Sequence, residues 1–131
     1  MSGSQNSQKT ILVIDDEPDI VTFLTMLLED NGYRVISAQN GQQGLDAARA
    51  EKPDLITLDI TMPEKSGVRF YREIKEDSAL GGIPVVMVTG VSGDFEQFIG
   101  GRKQVPPPEG YIAKPIEEET MLKTVVDLIG K

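Results

Sequence analysis

The chain of 131 residues contains no cysteine, no histidine and no tryptophan. Without cysteine there is no disulfide and no thiolate metal site. Without histidine the commonest acid–base side chain is missing. Positive charge is also short: 13 Lys and Arg against 21 Asp and Glu leave a net charge of −8. An acidic domain lacks the basic footprint that nucleic acid or an anionic membrane surface requires. Neither is expected as a partner; other proteins are. No apolar run approaches the length that spans a bilayer. The polar stretch from Met1 to Lys9 lacks the apolar centre of a signal peptide. Residues 1–9 read as a disordered leader. Residues 10–131 read as one folded domain with one core. A reducing, cytoplasmic setting fits this composition.

What the chain does have is four short apolar runs, each ending in a polar residue suited to phosphoryl chemistry. Ile11-Leu12-Val13-Ile14 leads into Asp15-Asp16, and Leu55-Ile56-Thr57-Leu58 into Asp59. Val85-Val86-Met87-Val88 leads into Thr89, and Tyr111-Ile112-Ala113 into Lys114. Unbroken β-rich runs of this kind read as strands covered on both faces, as in a parallel sheet. Ligands of such sheets bind outside the carboxyl ends of the strands, where the strand order reverses. Strands laid side by side would bring three carboxylates, a hydroxyl and an ammonium to one edge.

Between the runs the pattern is helical. Pro18 suits a first helical turn, Ile20, Val21, Leu24, Leu27 and Leu28 follow at helical spacing, and Asn31-Gly32 is a stop. Tyr33 to Ala38 reads as a mixed edge strand. Asn40 caps a helix that runs to about Glu51, and Pro53 ends it. A helix from Gly67 to about Asp77 would bury Val68, Tyr71 and Ile74. The last helix follows Pro115, with Glu117, Glu118 and Glu119 in its first turn, where negative charge suits the helix dipole. Its expected buried stripe is Met121, Leu122, Val125, Val126, Leu128 and Ile129. Between the fourth and fifth strands, Gly100-Gly101 and Pro106-Pro107-Pro108 leave room only for a shortened fourth helix and a stiff Pro-rich loop.

Each polar residue has an ordinary reading: Asp15 and Asp16 as helix-capping acids, Asp59 as a turn residue, Thr89 as strand or turn, Lys114 as surface charge. Their shared position at strand ends argues for the chemical one. Mg²⁺ takes one or two carboxylates together with waters and phosphate oxygens, and Asp15 with Asp16 can supply them. Asp59, ionised at neutral pH with a reference pKa of about 3.9, can attack phosphorus without a general base. A histidine-borne phosphoryl group would have to come from another protein.

The motifs Asp15-Asp16-Glu17-Pro18, Asp59-Ile60-Thr61-Met62-Pro63-Glu64-Lys65-Ser66-Gly67, Thr89-Gly90 and Lys114-Pro115 resemble those of the receiver domains of two-component response regulators. The resemblance runs from Lys9 to Ile129 and is that of a stand-alone receiver. It implies a flavodoxin-like, doubly wound α/β fold of five parallel strands in order 2-1-3-4-5. It implies that Asp59 accepts a phosphoryl group from a sensor histidine kinase or a histidine phosphotransfer protein. By the same resemblance Asp15, Asp16, Asp59 and the carbonyl of Thr61 hold Mg²⁺ or Mn²⁺. Thr89 and Lys114 would bind the phosphoryl oxygens, and Thr89 and Tyr111 would act as the switch that alters a surface for a downstream protein. Such a domain is a phosphoacceptor rather than an enzyme with a separate substrate. The segment before the fifth strand departs from the usual pattern, which singles out the Pro106–Pro108 loop as a candidate docking element. Two alternatives stay open. A Mg-dependent aspartyl phosphatase would carry a second aspartate two residues after the nucleophile, where this chain has Thr61. A phosphorylation-independent pseudo-receiver would not need the full set of site residues. A flavodoxin is weaker still, since Asp15-Asp16-Glu17 would repel its cofactor phosphate.

Overall fold

The computed structural model describes residues 8–59, 66–89 and 108–130. Its sheet has five parallel strands: β1 (Thr10–Ile14), β2 (Arg34–Ala38), β3 (Leu55–Asp59), β4 (Val85–Thr89) and β5 (Gly110–Ala113), in the order β2-β1-β3-β4-β5. The described helices are α1 (Pro18–Asp30), α2 (Gly41–Glu51), α3 (Ser66–Glu76) and α4 (Glu118–Ile129). The order reverses between β1 and β3, which places the topological switch beside the carboxyl ends of those strands. This is the doubly wound fold expected from the sequence. The shortened helix and Pro-rich loop between β4 and β5 fall on residues 90–107, outside those described.

Alternation along the strands divides the core into two layers. Leu12, Ile14, Ile56, Leu58 and Met87 pack with Leu45, Ala48, Phe70, Tyr71 and Ile74 from α2 and α3. Ile11, Val13, Leu55, Val86 and Ile112 pack with Leu24, Leu28, Met121 and Val125 from α1 and α4. β1 and β3 are buried along their whole length, while the edge strand β2 is mostly half-buried or exposed. That difference explains the continuous apolar runs in the first two and the mixed Arg34-Val35-Ile36-Ser37 in the third.

Local signals set the helix ends. Pro18 opens α1. The Asn40 side chain accepts a hydrogen bond from Gln43 N at 2.9 Å and so satisfies a first-turn donor of α2. Gly32, at φ +94°, ends the turn after α1 with a backbone conformation that side chains rarely adopt. α4 buries Met121 and Val125, but Val126 is exposed, so its apolar stripe is narrower than the sequence suggests. α3 buries Phe70 in addition to Tyr71 and Ile74.

Close packing pins the ends of the first strand. An added Cβ on Gly44 of α2 would stand 2.5 Å from Ile14 Cδ1 and 3.1 Å from Phe70 Cε1. α2 therefore lies against the last residue of β1, immediately before Asp15. At the opposite pole, Lys9 Nζ donates to Ile129 O, Tyr33 Oη to Gly130 O at 2.8 Å, and Gln8 Nε2 to Gly32 O at 3.3 Å. Gln8 and Lys9, assigned to the leader by sequence, are thus tied to the folded unit.

Candidate phosphoryl and cation site

Three strand ends bring the chemistry together. Asp15 follows β1, and its main-chain N donates to Ala38 O at 3.1 Å. The turn that follows directs its side chain back over the edge, where Oδ1 accepts from Glu17 N at 2.9 Å. Asp59 is the last residue of β3, and both carboxylates are buried. Lys114 follows β5 and reaches across, its Nζ 2.6 Å from Glu17 Oε1, 3.4 Å from Asp59 Oδ2 and 3.6 Å from Asp15 Oδ2.

One carboxylate oxygen from each of Asp15, Glu17 and Asp59 lies within 4.8 Å of the other two. Burial, with the charge of Asp59 beside it, pushes the Asp15 carboxyl up to about 6, although the Glu17 N–H and the Lys114 ammonium pull the other way. For Lys114, burial works against the charge, yet the hydrogen bond to Glu17 and the charges of Asp59, Asp15 and Glu17 outweigh it. They hold the ammonium above the ordinary lysine range. Negative charge is thus concentrated here beyond what one lysine balances. A small divalent ion that prefers oxygen ligands, Mg²⁺ or Mn²⁺, fits this donor set.

Of the residues expected from sequence, Asp15, Asp59 and Lys114 are brought together. Asp16 is exposed and does not belong to the acidic triplet. Thr61 lies outside the described residues. Thr89 ends β4 with its backbone registered against Ala113, the residue before Lys114. Tyr111, registered against Met87 in β5, is 41% exposed. Sequence reasoning gave Glu17 no place in the site. The sequence holds only a faint hint, a glutamate where Ser, Thr, Asp or Asn would be the better N-cap; the partner itself is set in space, and at the head of α1 the Glu17 side chain makes no capping bond.

A buried aspartate at the end of the central strand, a second acid at the neighbouring strand end and a lysine spanning both is an arrangement that can be compared with known proteins. Residues 11–126 match the family model of the response regulator receiver domain. The chain is a member of that family. It is 38% identical to protein PilH of Pseudomonas aeruginosa over 115 residues, 88% of this chain and 93% of that protein. It is 35% identical to the polar-differentiation response regulator DivK of Brucella anthropi, covering 93% of this chain and 97% of that protein. Among solved structures, chemotaxis protein CheY4 of Vibrio cholerae superposes with a TM-score of 0.81 at 27% identity, covering 93% of this chain and 99% of that one. The receiver domain therefore belongs to two-component signalling and carries an acidic pocket able to bind a metal. Among its described residues, no helix is long and apolar enough to cross a membrane.

Proposed function

We propose that this receiver domain takes a phosphoryl group onto Asp59 from a phosphohistidine of a sensor kinase or phosphotransfer protein, and thereby alters a surface that another protein reads. The observation that carries this reading is the position of Lys114 Nζ, 3.4 Å from Asp59 Oδ2 and 3.6 Å from Asp15 Oδ2, at the switch point of the sheet. Asp15 and Asp16, with Asp59 and the Thr61 carbonyl, would hold Mg²⁺ or Mn²⁺, and Glu17 is the neighbouring acid. The cation, when bound, neutralises charge on the phosphoryl oxygens. An Asp59 carboxylate oxygen attacks phosphorus in line. The new O–P bond forms as the donor N–P bond breaks, and the electron pair leaves with the imidazole nitrogen.

Lys114 then pairs with the phosphoryl oxygens, and the Thr89 hydroxyl moves to meet them. The acyl phosphate adds close to two negative charges at the edge. Movement of Thr89 opens space into which Tyr111 can turn from its exposed position, remodelling the surface around β5. In this reading the domain is a cytoplasmic phosphoacceptor that promotes its own phosphorylation and dephosphorylation, with no separate substrate. Acetyl phosphate with Mg²⁺, followed by intact mass, tests it. Wild type should gain one phosphoryl group and Asp59→Asn none. Stoichiometric labelling of Asp59→Asn at neutral pH would remove Asp59 from its role.

A further inference from the structure

Glu17 occupies the N-cap of α1, where a shorter polar side chain would ordinarily accept a bond from the first turn. It makes no such bond. Its carboxylate goes to Lys114 instead, and at 2.6 Å this is the shortest of that ammonium's ion pairs. The partners differ in exposure. The side chains of Asp15 and Asp59 are 3% and 1% exposed, whereas that of Glu17 is 59% exposed. Glu17 alone among them can swing into water at little desolvation cost.

We infer that Glu17 is a positioning residue that holds Lys114 in a resting ion pair, which an incoming phosphoryl group must break. The inference rests on the proposed role of Lys114 in binding phosphoryl oxygens. An ammonium is a compact point charge with three donors. Two anions on one side, the Glu17 carboxylate and the phosphoryl oxygens, compete for it. Glu17 then sets both how readily the group is accepted and how long it is kept. Because the pair is half in water, its effect is modest: removing the Glu17 charge should strengthen phosphoryl binding about two- to five-fold. The rival role for Glu17 is as a further cation ligand, since its oxygen lies within 4.8 Å of those of Asp15 and Asp59. The two roles predict opposite signs, because loss of a ligand would weaken cation binding and with it the binding of any phosphoryl mimic.

Three variants separate them: Glu17→Gln, Lys114→Met and the double substitution. The readouts are the Lys114 ammonium ¹⁵N resonance of the metal-free protein, Mg²⁺ affinity, and beryllofluoride affinity at saturating Mg²⁺. Glu17→Gln should shift the Lys114 resonance and tighten beryllofluoride two- to five-fold. The same change made in the Lys114→Met background should have no effect on beryllofluoride. An unmoved resonance overturns the inference, as does an equal gain in the Lys114→Met background, which would mark a general charge effect. So does a several-fold loss of Mg²⁺ affinity accompanied by weaker beryllofluoride binding. If wild type itself neither binds beryllofluoride nor accepts a phosphoryl group, the proposed function fails and takes the inference with it. Wild-type binding that is indifferent to Glu17 overturns the inference alone.

Discussion

Replacing Asp15 by asparagine should make the metal-free protein more stable at neutral pH, although it removes a carboxylate from the site. Asp15 is 2% exposed and faces Asp59, and its pKa rises from 3.8 to about 6. A carboxyl whose pKa is raised on folding holds a proton that the unfolded chain releases. Stability from this group is therefore complete below pH 3.8 and falls as pH climbs towards about 6. At pH 7.5 the ionised group costs the fold roughly 3 kcal/mol, at about 1.4 kcal/mol per pH unit. Asparagine keeps the Oδ1 acceptor for Glu17 N and carries no charge. In a domain of this length 1 kcal/mol corresponds to about 4 °C, so the melting temperature at pH 7.5 should rise by up to about 12 °C. The gain should shrink steadily below about pH 6 and vanish near pH 3.5. Thermal melts of both proteins in chelator across this range decide the matter. Equal stability at pH 7.5, or a gain that persists unchanged at pH 3.5, would refute the electrostatic account of Asp15.

Mg²⁺ should stabilise wild type by roughly 2.7 kcal/mol at 100 times its dissociation constant, and Na⁺ at equal ionic strength hardly at all. Its affinity should drop below about pH 6 as Asp15 takes up a proton, which isothermal titration at pH 5 and 7.5 will show. Gly44→Ala should destabilise by about 1–2 kcal/mol in urea melts: overpacking against Ile14 and Phe70 costs about 1–3 kcal/mol, and better helix propensity returns up to about 1. A more stable variant would mean that Ile14 repacks freely. Glu109→Gln should cost about 1–3 kcal/mol, because Lys75, with a side chain only 3% exposed, loses its charged partner. Adding Lys75→Met should recover part of that loss, and a strictly additive double variant would show that the two side chains do not interact.

The sheet was legible because β1, β3 and β4 are covered on both faces and so cannot alternate polar with apolar. Asp15, Asp59 and Lys114 could be found because each stands at the carboxyl end of an apolar run, Asp15 just after β1, Asp59 as the last residue of β3 and Lys114 just after β5, so knowing the strand end fixes the residue. Glu17 could not be found this way, since its side chain bypasses a local capping role for a partner 97 residues away. Lys75 was equally hidden. At the end of an amphipathic helix it reads as a solvated charge, yet it donates to both oxygens of Glu109, at 3.1 and 2.9 Å, and to Ile83 O at 3.3 Å. Long flexible side chains choose partners in space, and periodicity carries no trace of that choice. The stripe of α4 was overread for a related reason. Val126 has apolar character and helical spacing, but no element of the described fold comes over it to complete its burial.

The contacts that bind Lys9 to Ile129 and Tyr33 to Gly130 have a topological consequence. They bring the first and last turns of the domain together at the amino ends of the strands, at the far pole from Lys114. A short linker could therefore join the two ends into a continuous loop without crossing the reactive edge. New termini opened at the exposed Gly82, between α3 and β4, would give a circularly permuted domain with the same strand order. Anything joined directly at Gln8 or Gly130 starts from the pole opposite the acidic pocket. The site can then meet a partner head-on while the rest of an assembly hangs behind it.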